Sequence, residues 1–175
     1  LSITPYDACI APSITMLGNI KLWLDMAATQ KPESELIGAQ LAPDMYPLAR
    51  QVQLASDITK GAAARLSGTV PPAMPDTEAS FAELKARCDQ TITFLQSVDP
   101  VAVAQGYGKE IVVNFPNGGG MRFDGATYVS GFVLPNLYFH ASMVYAILRS
   151  HGVSIGKQDY LAHLAPNMFA APDAA

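Results

Sequence analysis

The chain has 175 residues, half of them hydrophobic and only 15% charged, against about 25% charged in an average soluble domain. So much apolar surface excludes a disordered chain, and a net charge of −4 supplies no basic field for a phosphate backbone, which argues against nucleic-acid binding. The length suits one domain, placed at residues 1–164, with an Ala/Pro-rich flexible tail over 165–175.

Thr4-Pro5-Tyr6-Asp7 reads as a helix start, with Thr4 as cap, Pro5 at the first helical position and Asp7 where a capping-box acid belongs. Tyr6, Ile10, Leu17, Ile20, Leu24 and Ala28 then recur at helical spacing, so the first long helix is predicted to end near Thr29. Lys31 to Gln40 predicts a short helical turn, and Ala42-Pro43-Asp44 breaks the chain. A second long helix follows, with Leu48, Val52, Ala55, Thr59, Ala62 and Leu66 inward and Gly68 as its stop. Pro71, Pro72 and Pro75 stiffen the next connection. Asp76 or Thr77 is expected to cap a third helix, whose stripe is Phe81, Leu84, Cys88, Ile92 and Leu95 and which Asp99-Pro100 ends.

From Lys109 to Asp124 the period changes to alternation: Ile111, Val113 and Phe115 share a face, Asn117 to Gly120 turns, and Met121-Arg122-Phe123 returns. The fourth long helix is predicted over Ala126 to Ser150, with Gly152 as its stop. The fold class is therefore all-α, a four-helix bundle with a small β-hairpin inserted before the last long helix. Lys157-Gln158-Asp159-Tyr160-Leu161 is expected to fold back onto it.

No basic stretch followed by a long apolar run opens the chain, and Cys9 and Cys88 form no metal or redox spacing. Reduced, buried thiols in the cytoplasm are the expectation. Gly125 to Leu148 carries no charge and is long enough to span a bilayer. Asn136 and His140, interruption by Gly131 and Pro135, and the lack of a partner segment argue for a bundle helix and no membrane.

Chemistry is sparse. At ~100° per residue, Val129, Val133, Asn136, His140, Val144, Ile147 and His151 share a stripe. Asn136 and His140 on this mostly apolar face require partners, which points to a polar pocket, a metal held by His140, or a buried hydrogen-bonded pair. His151 lies about 16 Å further along the helix, too far to share a metal. Pro135 cannot donate to the Gly131 carbonyl, so a kink is expected there. On the second helix, Gln53, Asp57 and Lys60 fall on the solvent side, whereas Gln51 lies about 60° from the apolar centre and can reach His140. Asn117-Gly118-Gly119-Gly120 joins two strands and is a hairpin turn, not a phosphate loop. No GxSxG elbow occurs, and neither cysteine has a basic neighbour that would favour a thiolate.

Three segments carry a resemblance: 42–53, Leu134-Pro135-Asn136-Leu137-Tyr138-Phe139-His140, and Gly152-Val153-Ser154-Ile155-Gly156-Lys157-Gln158-Asp159-Tyr160-Leu161. Together they resemble a family of domains of unknown function within the DinB/YfiT-like superfamily of four-helix bundles. The resemblance implies a DinB-like bundle, often homodimeric, in a superfamily that includes divalent-metal proteins and thiol-cofactor-dependent transferases and isomerases. The superfamily's metal site resembles three histidines, one on the second long helix and an HxxxH pair on the last. His140 matches the second member of that pair, Asn136 replaces the first, and the helix-two position falls nearest Gln53, with no histidine present. A divalent metal such as Zn or Ni, with His140 as ligand, is thus implied but weakened, because carboxamides are poor ligands for these ions.

Two readings follow. One is a protein binding a small molecule, with or without a divalent metal, in a pocket formed by Gln51, Gln53, Asn136 and His140. The other is a non-catalytic homodimeric structural or interaction module with a degenerate metal site. The uncharged last helix predicts the subunit contact through Leu134, Tyr138, Ala141 and Tyr145.

Overall fold

The structure, a computed structural model, describes residues 3–169. Four long helices form the bundle: α1 (Ala11–Ala28), α3 (Leu48–Ser67), α4 (Phe81–Ser97) and α7 (Leu134–Ser150). Short helices α2 (Glu33–Leu36), α5 (Pro100–Tyr107), α6 (Gly125–Thr127) and α8 (Lys157–Tyr160) decorate it. The hairpin pairs β1 (Ile111–Asn114) with β2 (Gly120–Phe123), antiparallel with Val112 opposite Arg122. α3 packs against α4 and α7, and α1 closes the ring by packing on the same two helices. Trp23, Leu17, Ile20, Leu48, Leu66, Leu84, Leu95 and Leu137 fill the core.

Two of the long helices begin in a wide turn. Residues Tyr6–Ile10 and Tyr128–Val133 are π-helical, and in each case a proline, Pro12 or Pro135, is the second residue of the α-helix that follows. The N–H groups of Ala11 and Leu134 reach back five residues, to Tyr6 and Val129. A proline without an N–H is thus accommodated where the bonding pattern already switches. The wide turn also holds more residues than an α-turn. It therefore moves the buried stripe of α7 by about one residue, and Leu137, Ala141 and Leu148 are buried beside Val133, Val144 and Ile147. The expected stripe through Asn136, His140 and His151 is corrected accordingly: Asn136 and His140 are half-buried at its edge, and His151 is exposed.

Some boundaries also differ. Thr4 and Asp7 form their reciprocal cap, with the Asp7 N–H donating to Thr4 Oγ1 at 3.1 Å and Thr4 Oγ1 to Asp7 Oδ2 at 2.6 Å. Helix α4 is capped by Ser80, not Asp76 or Thr77, because Asp76 is drawn into an ion pair with Arg50. Asp99-Pro100 ends α4 but also starts α5: Asp99 accepts from the Val101 N–H at 3.0 Å, and proline suits the first helical turn. Gly106 lets α5 meet the end of α3, since a Cβ there would lie 1.8 Å from the Leu66 carbonyl oxygen.

The C-terminal segment returns to α1. Trp23 Nε1 donates to the Asp159 carbonyl at 3.0 Å and Asn19 Nδ2 to the Tyr160 carbonyl at 2.8 Å. Tyr160 stacks on Trp23 with centroids 5.1 Å apart, and Tyr145 meets both rings edge-on. Tyr145 and Ala141, expected at a subunit contact, are therefore covered within the chain. Residues 165–167, expected in the loose tail, belong to a 3₁₀ helix, Ala162–Asn167, while 170–175 lie outside the described residues.

The helical run Gly125–Ser150 is long and apolar enough to cross a membrane by length and composition. Its buried stripe packs against α3 and α1 as a bundle helix does.

Candidate functional site

Helices α3 and α7 bring Gln51 and His140 together: Oε1 of the glutamine lies 2.8 Å from Nδ1 of the imidazole. Gln51 also donates from Nε2 to the Tyr46 carbonyl at 3.1 Å. A carbonyl oxygen only accepts, so the amide nitrogen must face Tyr46 and the amide oxygen must face His140. That oxygen also only accepts. The hydrogen-bond network therefore assigns the ring proton to Nδ1 and the lone pair to Nε2. Nε2 has no partner among the described residues, yet no buried side-chain nitrogen or oxygen among them is left unpaired, so Nε2 opens to solvent. Phe139 stands edge-on to the imidazole, with centroids 5.3 Å apart.

Burial, and second the nearby Arg50 guanidinium, hold the His140 pKa below its ordinary value. The ring is thus neutral at pH 7, a hydrogen-bond or proton acceptor at Nε2. Arg50 lies over the Tyr46 ring at 5.9 Å, donates to Gln53 Oε1 at 3.2 Å and pairs with Asp76.

The other two expected pocket residues lie elsewhere. Asn136 Nδ2 donates to the Phe132 carbonyl at 2.6 Å, within its own helix. Gln53 is buried on another face of α3 and donates from Nε2 to Glu78 Oε2 at 2.9 Å. The face expected to be solvated, with Gln53, Asp57 and Lys60, is instead covered by the proline-containing connection, whose Asp76 and Glu78 converge on Arg87.

Arg87 was not distinguished by the sequence reading. Its guanidinium is 1% exposed and meets Glu78 Oε1 at 2.9 Å, Asp57 Oδ1 at 2.7 Å and Asp76 Oδ1 at 3.0 Å, while Nε donates to Ser56 Oγ at 3.2 Å. Burial alone would raise the Glu78 pKa, but its hydrogen bonds, led by that from Arg87, lower it; burial alone would lower the Arg87 pKa, but Glu78 and then Asp57 raise it. A usable signal was present, since Arg87 follows Leu84 by three residues and so flanks the buried stripe of α4.

A three-imidazole metal centre does not fit these residues. No group of three or more His, Cys, Asp or Glu that could hold a metal occurs among the described residues. The carboxamides in the other two ligand places are engaged: Asn136 with Phe132, Gln51 with His140 and Tyr46, and Gln53 with Arg50 and Glu78. Cys9 and Cys88 are free and buried, and burial pushes each thiol up to about 12, which excludes a ready thiolate.

This arrangement of four helices, inserted hairpin and returning C-terminal segment defines a DinB-like bundle. The chain belongs to the DUF1993 family, whose model, described as a domain of unknown function, matches residues 5–161. It is similar to the crystal structure of a DinB family member protein from Shewanella denitrificans, with a TM-score of 0.80 and 32% identity over 97% of this chain and 94% of that chain. No curated protein matches significantly.

Proposed function

We propose that this DinB-like protein binds a small molecule at His140 without a metal ion, using Nε2 as the acceptor for a ligand N–H, O–H or S–H group. The observation that carries the reading is the Gln51 bridge. A buried glutamine fixed at both ends of its amide holds one tautomer and leaves the unpaired nitrogen facing solvent. Because burial and then Arg50 keep the ring unprotonated at pH 7, the same nitrogen is free to take a proton from a bound ligand. Free, buried cysteines accord with a cytoplasmic setting.

The test is a thermal-shift screen of a metabolite library on untagged protein, with metal analysis of the same samples. A ligand that raises the melting temperature of the wild type but not of His140→Ala, with no stoichiometric metal in either, is expected. One metal per wild-type chain that His140→Ala loses would overturn the metal-free reading, and no ligand shift would overturn the binding reading.

A homodimeric contact is favoured by one observation. Phe139 and its neighbour Tyr138 are 53% and 39% exposed, an adjacent aromatic pair on a helix whose other apolar side chains are mostly covered.

A further inference from the structure

We propose a second site in this chain: a cleft between the start of α1, the outer face of α7 and the C-terminal segment, which binds an organic cation, an ammonium with an apolar or aromatic body. The cleft has a volume of about 480 Å³ and is lined by Asp7, Met16, Tyr138, Tyr160, Leu161 and His163, with Ala11, Pro12 and Thr15 on the α1 side. It does not include His140, so it stands apart from the reading above.

Its chemistry selects charge. Among the described residues, Asp7 is the single carboxylate in the lining, and no lysine or arginine belongs to it. Asp7 Oδ2 accepts both bonds from Thr4, which fixes the carboxylate, while Oδ1 has no partner among the described residues. Asn19 Nδ2, already a donor to the Tyr160 carbonyl, directs its second hydrogen to His163 Nδ1 at 3.3 Å, which orients the imidazole in the cleft wall. An anion would meet Asp7 uncompensated, whereas an ammonium would find a fixed carboxylate beside two phenol rings and apolar side chains.

The walls are held in place. Tyr160 is stacked on Trp23, bonded through its hydroxyl to Ser142 Oγ at 3.2 Å and held by its carbonyl on Asn19. Tyr138, one helical turn before Ser142, has no hydrogen-bonding partner among the described residues and is 39% exposed. A ligand would complete these surfaces without rearranging the bundle.

Trp23, the chain's single tryptophan, stacks on Tyr160 and reports on the cleft. Titration with benzyltrimethylammonium is expected to change Trp23 fluorescence saturably and to shift the backbone amide resonances of Tyr160 and His163. Choline is expected to bind roughly tenfold more tightly than its uncharged isostere, in which tert-butyl replaces trimethylammonium. Asp7→Asn, which keeps an oxygen for Thr4, and Tyr138→Ala should each weaken binding several-fold, whereas Asp44→Asn, removing an exposed charge elsewhere, should not. Equal binding of choline and the isostere, wild-type affinity in Asp7→Asn with an unchanged melting temperature, or no saturable response by either readout would overturn the proposal.

Discussion

Replacing Gln51 by leucine tests the tautomer assignment directly. The substitution keeps the side-chain volume close to that of glutamine and deletes both the acceptor for His140 Nδ1–H and the donor to the Tyr46 carbonyl. Tyr46 is mostly exposed, so its carbonyl can turn to water, but the half-buried Nδ1–H cannot do so freely. The loss is then near that of one neutral bond and its stranded partner, about 1–2 kcal/mol. For a chain of this size that corresponds to a fall in melting temperature of about 2–8 °C. Long-range ¹⁵N–¹H correlation of the three histidines gives the decisive readout. Wild-type His140 should show the Nδ1–H pattern, and Gln51→Leu a mixture of tautomers. An Nε2–H pattern in the wild type, or an unchanged pattern in the variant, would refute the network and with it the proposed acceptor.

Other outcomes follow from the same structure. Because burial and then Arg50 hold the folded pKa of His140 below its ordinary 6.5, the neutral ring favours the fold. That contribution is complete above the unfolded value and is lost as pH falls through about 6.5 toward the folded value; urea midpoints should decline over this window and decline less in His140→Gln. Arg87→Met leaves Asp57, Asp76 and Glu78 without their common cation, and a loss of about 3 kcal/mol is expected from denaturant melts; a loss below about 1 kcal/mol would contradict a structural role for the cluster. Gly106→Ala should destabilise by roughly 1–3 kcal/mol by pushing α5 off Leu66, while Gly18→Ala, with open space around it in α1, should stabilise by up to about 1 kcal/mol. Phe139→Ser should shift a dimer toward monomer in sedimentation velocity, and an unchanged monomeric boundary in both proteins would remove the subunit-contact reading.

The four long helices and the hairpin were legible because each obeys a period. Leu48, Val52, Ala55, Ala62 and Leu66 repeat at helical spacing, whereas Ile111 and Val113 alternate, and both sets are buried. Helix α5 was hidden by an ambiguity in local signals: Asp99-Pro100 stops a preceding helix and starts a following one equally well. The single-residue offset on α7 had a different origin. A wheel assumes constant rotation, and the π-helical turn over Tyr128–Val133 breaks that assumption before Asn136 is reached.

The sequence by itself determined the class of fold, the residues able to carry polar chemistry, and the replacement of two of the three imidazoles that the resemblance implies, leaving His140. Tertiary structure alone decided between the two glutamines. Gln51 and Gln53 are two residues apart on one helix and point to different sides, Gln51 toward His140 and Gln53 toward Glu78 and the Arg87 cluster. Local periodicity measures only the angle of a side chain to an apolar stripe. What covers the opposite face depends on where the proline-containing connection lies, and hydrogen-bond partners dozens of residues apart leave no mark in the spacing of either segment.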